Sequence, residues 1–310
     1  MKTVLLTGVG GPAGRALAAQ LRPFAFADDP VFTIGADMRE LASSDARLVL
    51  RIPPATSSEY LATLHHLLEY YEVDLLIPTV SEELPIVAVA APLLAGVRPS
   101  IPGHPGAALP PEPPRRSVVI ASAAAVALAS DKLLTMQTLR RAGVGVPDFA
   151  DAGEFHTAAS ALRVLGGPLV LKPRISRGAR GVSVVRHASD PWPASGALIQ
   201  RFAPGTEYCV QIHRPVGADD GVVVVLRKTA LSGGTIGNAV SCVVDEGAVD
   251  VGDIAWAAVT ALGVTGPADV DVRRDDTGLP VVLEVNARFG AQSAAAPAVL
   301  SSVLRAHGMP

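Results

Sequence analysis

The chain has 310 residues, 26 Lys and Arg against 29 Asp and Glu, a formal net charge of −3 and only 4% aromatic residues. Its length predicts two or three packed lobes, and its aliphatic, glycine- and proline-rich composition predicts an α/β fold. Basic residues spread along the chain exclude the concentrated positive patch of a nucleic-acid or anionic-membrane binder, and no apolar run reaches the roughly 20 residues of a membrane helix, so small-molecule chemistry in the cytoplasm is expected.

Residues 3–7 are predicted as a strand, followed by the turn Gly8-Val9-Gly10-Gly11 and an Ala/Leu-rich helix to about residue 21. The glycines interrupt the apolar stretch too early for a signal-peptide core. A strand at 31–36, a helix at 57–71, a strand at 73–78 and a helix at 82–94 complete the pattern. Residues 1–115 therefore read as a doubly wound, Rossmann-like lobe. Between Arg98 and Arg116 proline and glycine are too dense for helix or central strand, which predicts an irregular exposed loop. Ser130-Asp131 is placed to cap a helix that stops at Gly143. Further strands are expected at 118–120, 169–172, 181–185, 197–202, 207–213, 222–228, 268–273 and 280–285. The later lobes divide as 116–203 and 204–310. Cys209 and Cys242 lack metal-ligand spacing and fit a reducing compartment as two buried thiols, with a disulfide between them left open. The histidines, adjacent His65 and His66 included, show no zinc-site pairing.

Two segments carry candidate chemistry. Lys172 ends an apolar run and is followed by the basic, glycine-containing stretch Ser176-Arg177-Gly178-Ala179-Arg180-Gly181. A strand-borne ammonium beside backbone N–H groups free of Cβ atoms is a phosphate clamp; the plainer reading is a hairpin with solvated arginines. The second segment is a predicted hairpin in which period-two alternation lets Asp269 and Asp271 share one face, and likewise Glu284 and Asn286, so that neighbouring strands converge their oxygens on one point. Converging hard oxygens suit Mg²⁺, which takes one or two carboxylates and completes its shell with phosphates and water. Arg288 is either part of that site or a simple salt-bridge partner for Glu284.

Together with Ser130-Asp131-Lys132, Gly143-Val144-Gly145-Val146-Pro147, Leu171-Lys172-Pro173 and Glu284-Val285-Asn286-Ala287-Arg288-Phe289, the order of these pieces resembles the ATP-grasp superfamily, especially a single module of its carbamoyl-phosphate-synthetase-like branch. The resemblance implies a doubly wound parallel-sheet lobe followed by two α+β lobes that clamp ATP. It implies that Lys132 and Lys172 hold ATP phosphates beneath a lid containing Ser176, Gly178 and Gly181. Gln200, where a Glu is commoner, and Phe202 would form the adenine hinge, with Glu207 at the ribose. Asp271, Glu284 and Asn286 would hold two Mg²⁺ or Mn²⁺ ions, Asp269 being one pleat further out. Arg288 would contact the transferred phosphoryl group with Lys228 nearby, Arg227 pointing to the opposite face of the strand. The implied activity is a carbon–nitrogen ligase that joins a carboxylate to an amine, both expected to be amino acids, through an acyl phosphate. A homodimer is a further expectation, since the chain stops soon after Phe289-Gly290 and a missing terminal element would leave part of the acceptor site to another subunit.

Two rivals stand beside this reading. Gly8-Val9-Gly10-Gly11-Pro12-Ala13-Gly14 with Asp37 is close to a dinucleotide fingerprint and supports an NAD(P)-dependent oxidoreductase. A noncatalytic ATP-binding protein of the same fold is the other. Thr79-Val80-Ser81-Glu82-Glu83 either lines an acceptor cleft or is a helix N-terminus with Ser81 as its cap.

Overall fold

The computed structural model describes residues 1–26, 28–97, 116–176, 178, 180–193 and 196–309. The loop expected between Arg98 and Arg116 lies outside them except for Arg116, as do Arg177 and Ala179 of the expected lid.

The first lobe contains β1 (Lys2–Thr7), α1 (Pro12–Leu21), β2 (Val31–Asp37), β3 (Leu48–Arg51), α2 (Tyr60–Tyr70), β4 (Leu75–Ile77), α3 (Leu84–Leu94) and β5 (Ser117–Val118). The strands form a parallel sheet in the order β3-β2-β1-β4-β5, the doubly wound arrangement expected. Proline opens α1, where a missing N–H costs nothing, and Ala13, Leu17 and Leu21 recur along its buried face. The strand order reverses between β1 and β4. The loops after these strands, carrying Gly8 and Thr79 to Ser81, therefore flank the crevice in which open α/β sheets bind ligands.

Next come α4 (Ala123–Ser130), α5 (Lys132–Arg141), β6 (Phe149–Asp151), α6 (Ala158–Leu165), β7 (Leu169–Pro173), β8 (Ser183–Val185) and β9 (Ala197–Arg201). The strands form a small antiparallel sheet, β6-β9-β7-β8. The last region holds β10 (Glu207–Arg214), β11 (Val222–Leu231), β12 (Ala239–Val244), α7 (Val249–Ala261), β13 (Gly266–Arg274), β14 (Pro280–Asn286) and α8 (Pro297–Ala306). Its antiparallel sheet runs β12-β11-β10-β13-β14.

The expected lobe boundaries need two corrections. β5 lies beyond residue 115 yet completes the first sheet. Helices α4 and α5, assigned by sequence to the middle lobe, bury Val126, Leu133, Met136 and Leu139 in one core with Val251 and Val259 of α7 and Val270 and Val285 of the large sheet. Burying each such side chain contributes about 1.5–3 kcal/mol, and the large sheet supplies that apolar surface. The chain finally returns to its beginning, because Leu300, Val303 and Leu304 of α8 share a core with Val4, Leu6 and Leu17.

Candidate active site

Residues from the two antiparallel sheets meet those of the loops after β1 and β4 at a cavity of about 700 Å³. Asp131 caps α5 by accepting from the N–H groups of Leu133 and Leu134, and it also takes the Arg174 guanidinium, with Nη2 to Oδ2 at 2.6 Å. Burial raises the Asp131 carboxyl, but the hydrogen bonds from Arg174 and the helix N–H groups outweigh it and hold the group below its usual range. The cap thus anchors the first residue of α5, Lys132, which is 4% exposed. Lys132 Nζ donates to the Ser176 carbonyl at 2.7 Å and lies 3.3 Å from Glu284 Oε1.

Lys172 projects from β7 into the same cavity and is buried, its Nζ reaching the Leu283 carbonyl at 3.4 Å. Burial pulls its ammonium below the ordinary lysine range, against the opposing pull of Glu284 and Asp271. Leu283 sits where the β13–β14 ladder slips by one residue beside Asp271, a bulge of the kind that re-aims groups at functional sites. On the Asp271 side of the slip, Asp271 lies opposite Glu284 and Asp269 opposite Asn286, whereas beyond it Val272 pairs with Val282.

The salt bridge considered between Arg288 and Glu284 is not formed, because Glu284 is engaged by Lys132. Arg288 Nε instead donates to Ser81 Oγ at 2.9 Å, Nη1 to the Phe289 carbonyl at 2.7 Å and Nη2 to Asn286 Oδ1 at 3.2 Å. Ser81 is consequently no helix cap: α3 opens at Leu84 with Glu83 at the cap position, and the Ser81 hydroxyl serves the arginine across the lobe boundary. Lys228 donates to Glu207 Oε1 and Asp271 Oδ1, both at 2.6 Å. Burial alone would lower its ammonium, but those two carboxylates hold it above the usual range. Arg227 faces away and pairs with Asp245.

At the other end of the cavity, Gln200 is 1% exposed, its Nε2 donating to Met136 Sδ at 2.9 Å and its Oε1 left without a partner. Phe202 stacks beneath Arg273, whose Cζ is 4.7 Å from the ring centroid, and Glu207 Oε2 lies 3.5 Å from Arg273 Nη1. Ser176 holds Lys132, Gly178 accepts from Asn238 Nδ2 at 3.4 Å, and Gly181 has φ +71, a conformation that strains any L side chain.

Sequence reasoning missed Arg273, Gln211 and Asn238. Arg273 was findable, being two residues beyond Asp271 on the same face and directly opposite Glu207. Gln211 donates to Asp269 Oδ1 at 2.6 Å, and Asp269 lines the cavity 3.8 Å from Arg288. Burial, then the nearby Asp271 charge, pushes the Asp269 carboxyl up to about 6. Both cysteines are free, but only Cys209 is buried; the expectation of two buried thiols fails at Cys242, which lies at the edge of the large sheet on the outermost strand β12.

The oxidoreductase rival is not supported. Asp37, which would read a ribose, accepts from Gly10 N at 2.9 Å and from Arg39 Nε at 3.2 Å, while Gly8 and Gly11 line the shared cavity. Burial raises the Asp37 carboxyl, but these bonds more than offset it.

Two antiparallel sheets bring lysines and carboxylates to one cavity against a doubly wound lobe, an architecture for gripping a phosphorylated ligand between lobes. Residues 129–292, more than half of the chain, match the family model of the ATP-grasp domain, and the chain belongs to that family. It is 30% identical over 181 residues to a D-alanine–D-alanine ligase of Synechococcus sp. (strain JA-2-3B'a(2-13)), covering 52% of this chain and 55% of the relative. It is likewise 30% identical over 195 residues to a probable alpha-L-glutamate ligase of Aeromonas salmonicida, covering 57% and 62%. The chain spans about half the length of the curated relatives it matches. In fold it is similar to the L-amino acid ligase of Bacillus licheniformis, with TM-score 0.66, 19% identity, and 95% and 69% of the two chains covered. Biotin carboxylase of Campylobacter jejuni in complex with β-γ-ATP gives TM-score 0.69 at 18% identity over 100% and 71%.

Proposed function

We propose that the chain is an ATP-dependent carboxylate–amine ligase that forms an amide or peptide bond and releases ADP and phosphate. The observation that carries this reading is that Lys172, Asp271, Glu284, Asn286 and Arg288 line one cavity, with Lys132 3.3 Å from the Glu284 carboxylate. Lys172, a buried cation whose Nζ meets a backbone carbonyl at 3.4 Å, fits a phosphate oxygen. The partnerless Gln200 Oε1 fits an amino donor such as that of adenine. Phe202 would flank the base, and Glu207, whose oxygens keep lone pairs beyond those serving Lys228 and Arg273, would accept from the ribose. Ser176, Gly178 and Gly181 would close over the phosphates and exclude water.

Among the described residues no group of three or more His, Cys, Asp and Glu side chains could hold a metal ion. Two carboxylates and an amide oxygen completed by phosphate oxygens and water nevertheless fit Mg²⁺. Bound there, two such ions would neutralise charge on the transferred group. A substrate carboxylate oxygen attacks the γ-phosphorus, the bond to the bridging oxygen breaks and ADP leaves with that electron pair. An amine nitrogen then attacks the acyl carbon, phosphate departs and the amine loses its proton to solvent. Arg288 and Lys228 stabilise the phosphoryl charge in both steps. The supporting similarity is that the two curated relatives named above, each 30% identical, are ligases.

The test is incubation with Mg·ATP, pooled amino acids and small carboxylates, followed by nucleotide and mass analysis. ADP, phosphate and a new amide are expected; AMP and pyrophosphate would refute the acyl phosphate. Glu284→Gln is expected to lower turnover about 100-fold, by analogy with loss of one charge-stabilising group, and undiminished turnover would remove Glu284 from the site.

A further inference from the structure

The cavity continues past Arg288 into the crevice of the first lobe, and the character of that end differs from the rest. Among the described residues, those of the first lobe that line it are Gly, Pro, Ala, Thr, Val and Ser, none of them charged. Val80 packs so close to Gly8 that a Cβ added there would lie 2.4 Å from Val80 Cγ2, which makes this wall closely packed. Ala239, Ala291 and Gln292 line the same cavity. The Gln292 amide is committed at both ends, Nε2 donating to the Ala239 carbonyl at 3.2 Å and Oε1 accepting from the Cys242 thiol at 3.2 Å. Where the first-lobe wall meets the large sheet, Arg288 is held by Ser81 and lies 3.8 Å from Asp269.

We infer that the carboxylate substrate is a small acid with an uncharged body: its carboxylate meets Arg288, its remainder fills the neutral crevice, and a second charged group at its far end is rejected. This rests on the ligase reading and adds the substrate class. An α-ammonium next to the carboxylate stays within the field of Asp269, so small neutral amino acids belong to the class. A side-chain carboxylate or ammonium would have to shed water against Gly8 and Val80, where no described lining residue of the first lobe carries an opposite charge to receive it.

The full chain with Mg²⁺ and a non-hydrolysable ATP analogue is titrated with glycine, alanine, propionate, aspartate, glutamate and lysine while Tm is followed. The same acids are then assayed with ATP and an amine pool for ADP release. The neutral acids are expected to raise Tm and to give kcat/KM about 100-fold or more above the charged ones. Val80→Lys, which puts an ammonium in the crevice, should narrow that ratio for aspartate and glutamate but not for lysine. The inference is overturned if a charged acid binds or reacts as well as the neutral ones, or if no neutral acid raises Tm. Binding of neutral acids without ADP release from any would overturn the ligase reading alone, whereas fastest turnover of glutamate would overturn this inference and leave that reading standing.

Discussion

Glu83 illustrates how a residue outside the cavity sets one inside it. Its carboxylate is buried, accepts from the hydroxyls of Thr7 and Tyr60, and takes the Val80 N–H at 2.8 Å. Thr7 is itself tied to Thr79, whose N–H reaches the Thr7 hydroxyl at 3.1 Å. Burial raises the Glu83 carboxyl above its usual range despite these bonds. The network pins the segment that carries Ser81, and Ser81 holds Arg288. Ser81→Ala and Glu83→Gln are each expected to lower kcat about tenfold with little change in KM for ATP, since a hydrogen bond to a charged group contributes about 1.5–3 kcal/mol. If the two act through one arginine, the double variant loses no more than the weaker single variant in steady-state assays; additive losses would show independent roles.

At the scale of elements, the fingerprint glycines serve packing. A Cβ on Gly14, in the first turn of α1, would lie 2.4 Å from the Gly8 carbonyl oxygen and 2.7 Å from Val9 Cα, so the helix can approach the β1 loop only without one. Gly14→Ala is expected to destabilise the protein by about 1–3 kcal/mol through overpacking, read as a lower urea midpoint with unchanged slope. An unchanged midpoint would show that α1 shifts freely. The hairpin of β13 and β14 was legible because alternation of acids with valines allows one register in which Asp271 meets Glu284. Strands β3, β6 and β12 and helices α4, α6, α7 and α8 were not picked out. β12 reads Ala239–Val244 with exposed Val240, Val243 and Val244, so no buried face imposed a period on it.

Across the whole molecule, α8 joins the first lobe to the large sheet, and His213 lies at that joint. This histidine on β10 is 2% exposed and its Nδ1 is 2.8 Å from Ser302 Oγ on α8. Burial, then the nearby His307, lowers it from 6.5 to about 4. The folded state therefore keeps His213 neutral to about pH 4, whereas the unfolded chain protonates it near 6.5. Its share of stability is fully present above pH 6.5 and lost as pH falls toward 4, amounting to about 2 kcal/mol by pH 5. Denaturant titrations at pH 7.5 and 5 should show that loss, and His213→Gln should reduce it; an unaltered pH dependence would assign it to other groups.

The sequence by itself determined the local chemistry: which lysines and acids sit on strands, which loops are rich in glycine, and where Asp131 caps a helix. These follow from period, propensity and capping, which act over a few residues. Only the tertiary structure decided that Lys132 rather than Arg288 meets Glu284, that Ser81 serves an arginine 207 positions away, and that α4 and α5 belong to the large sheet. Such pairings depend on which surfaces bury each other, and no spacing along the chain records that choice.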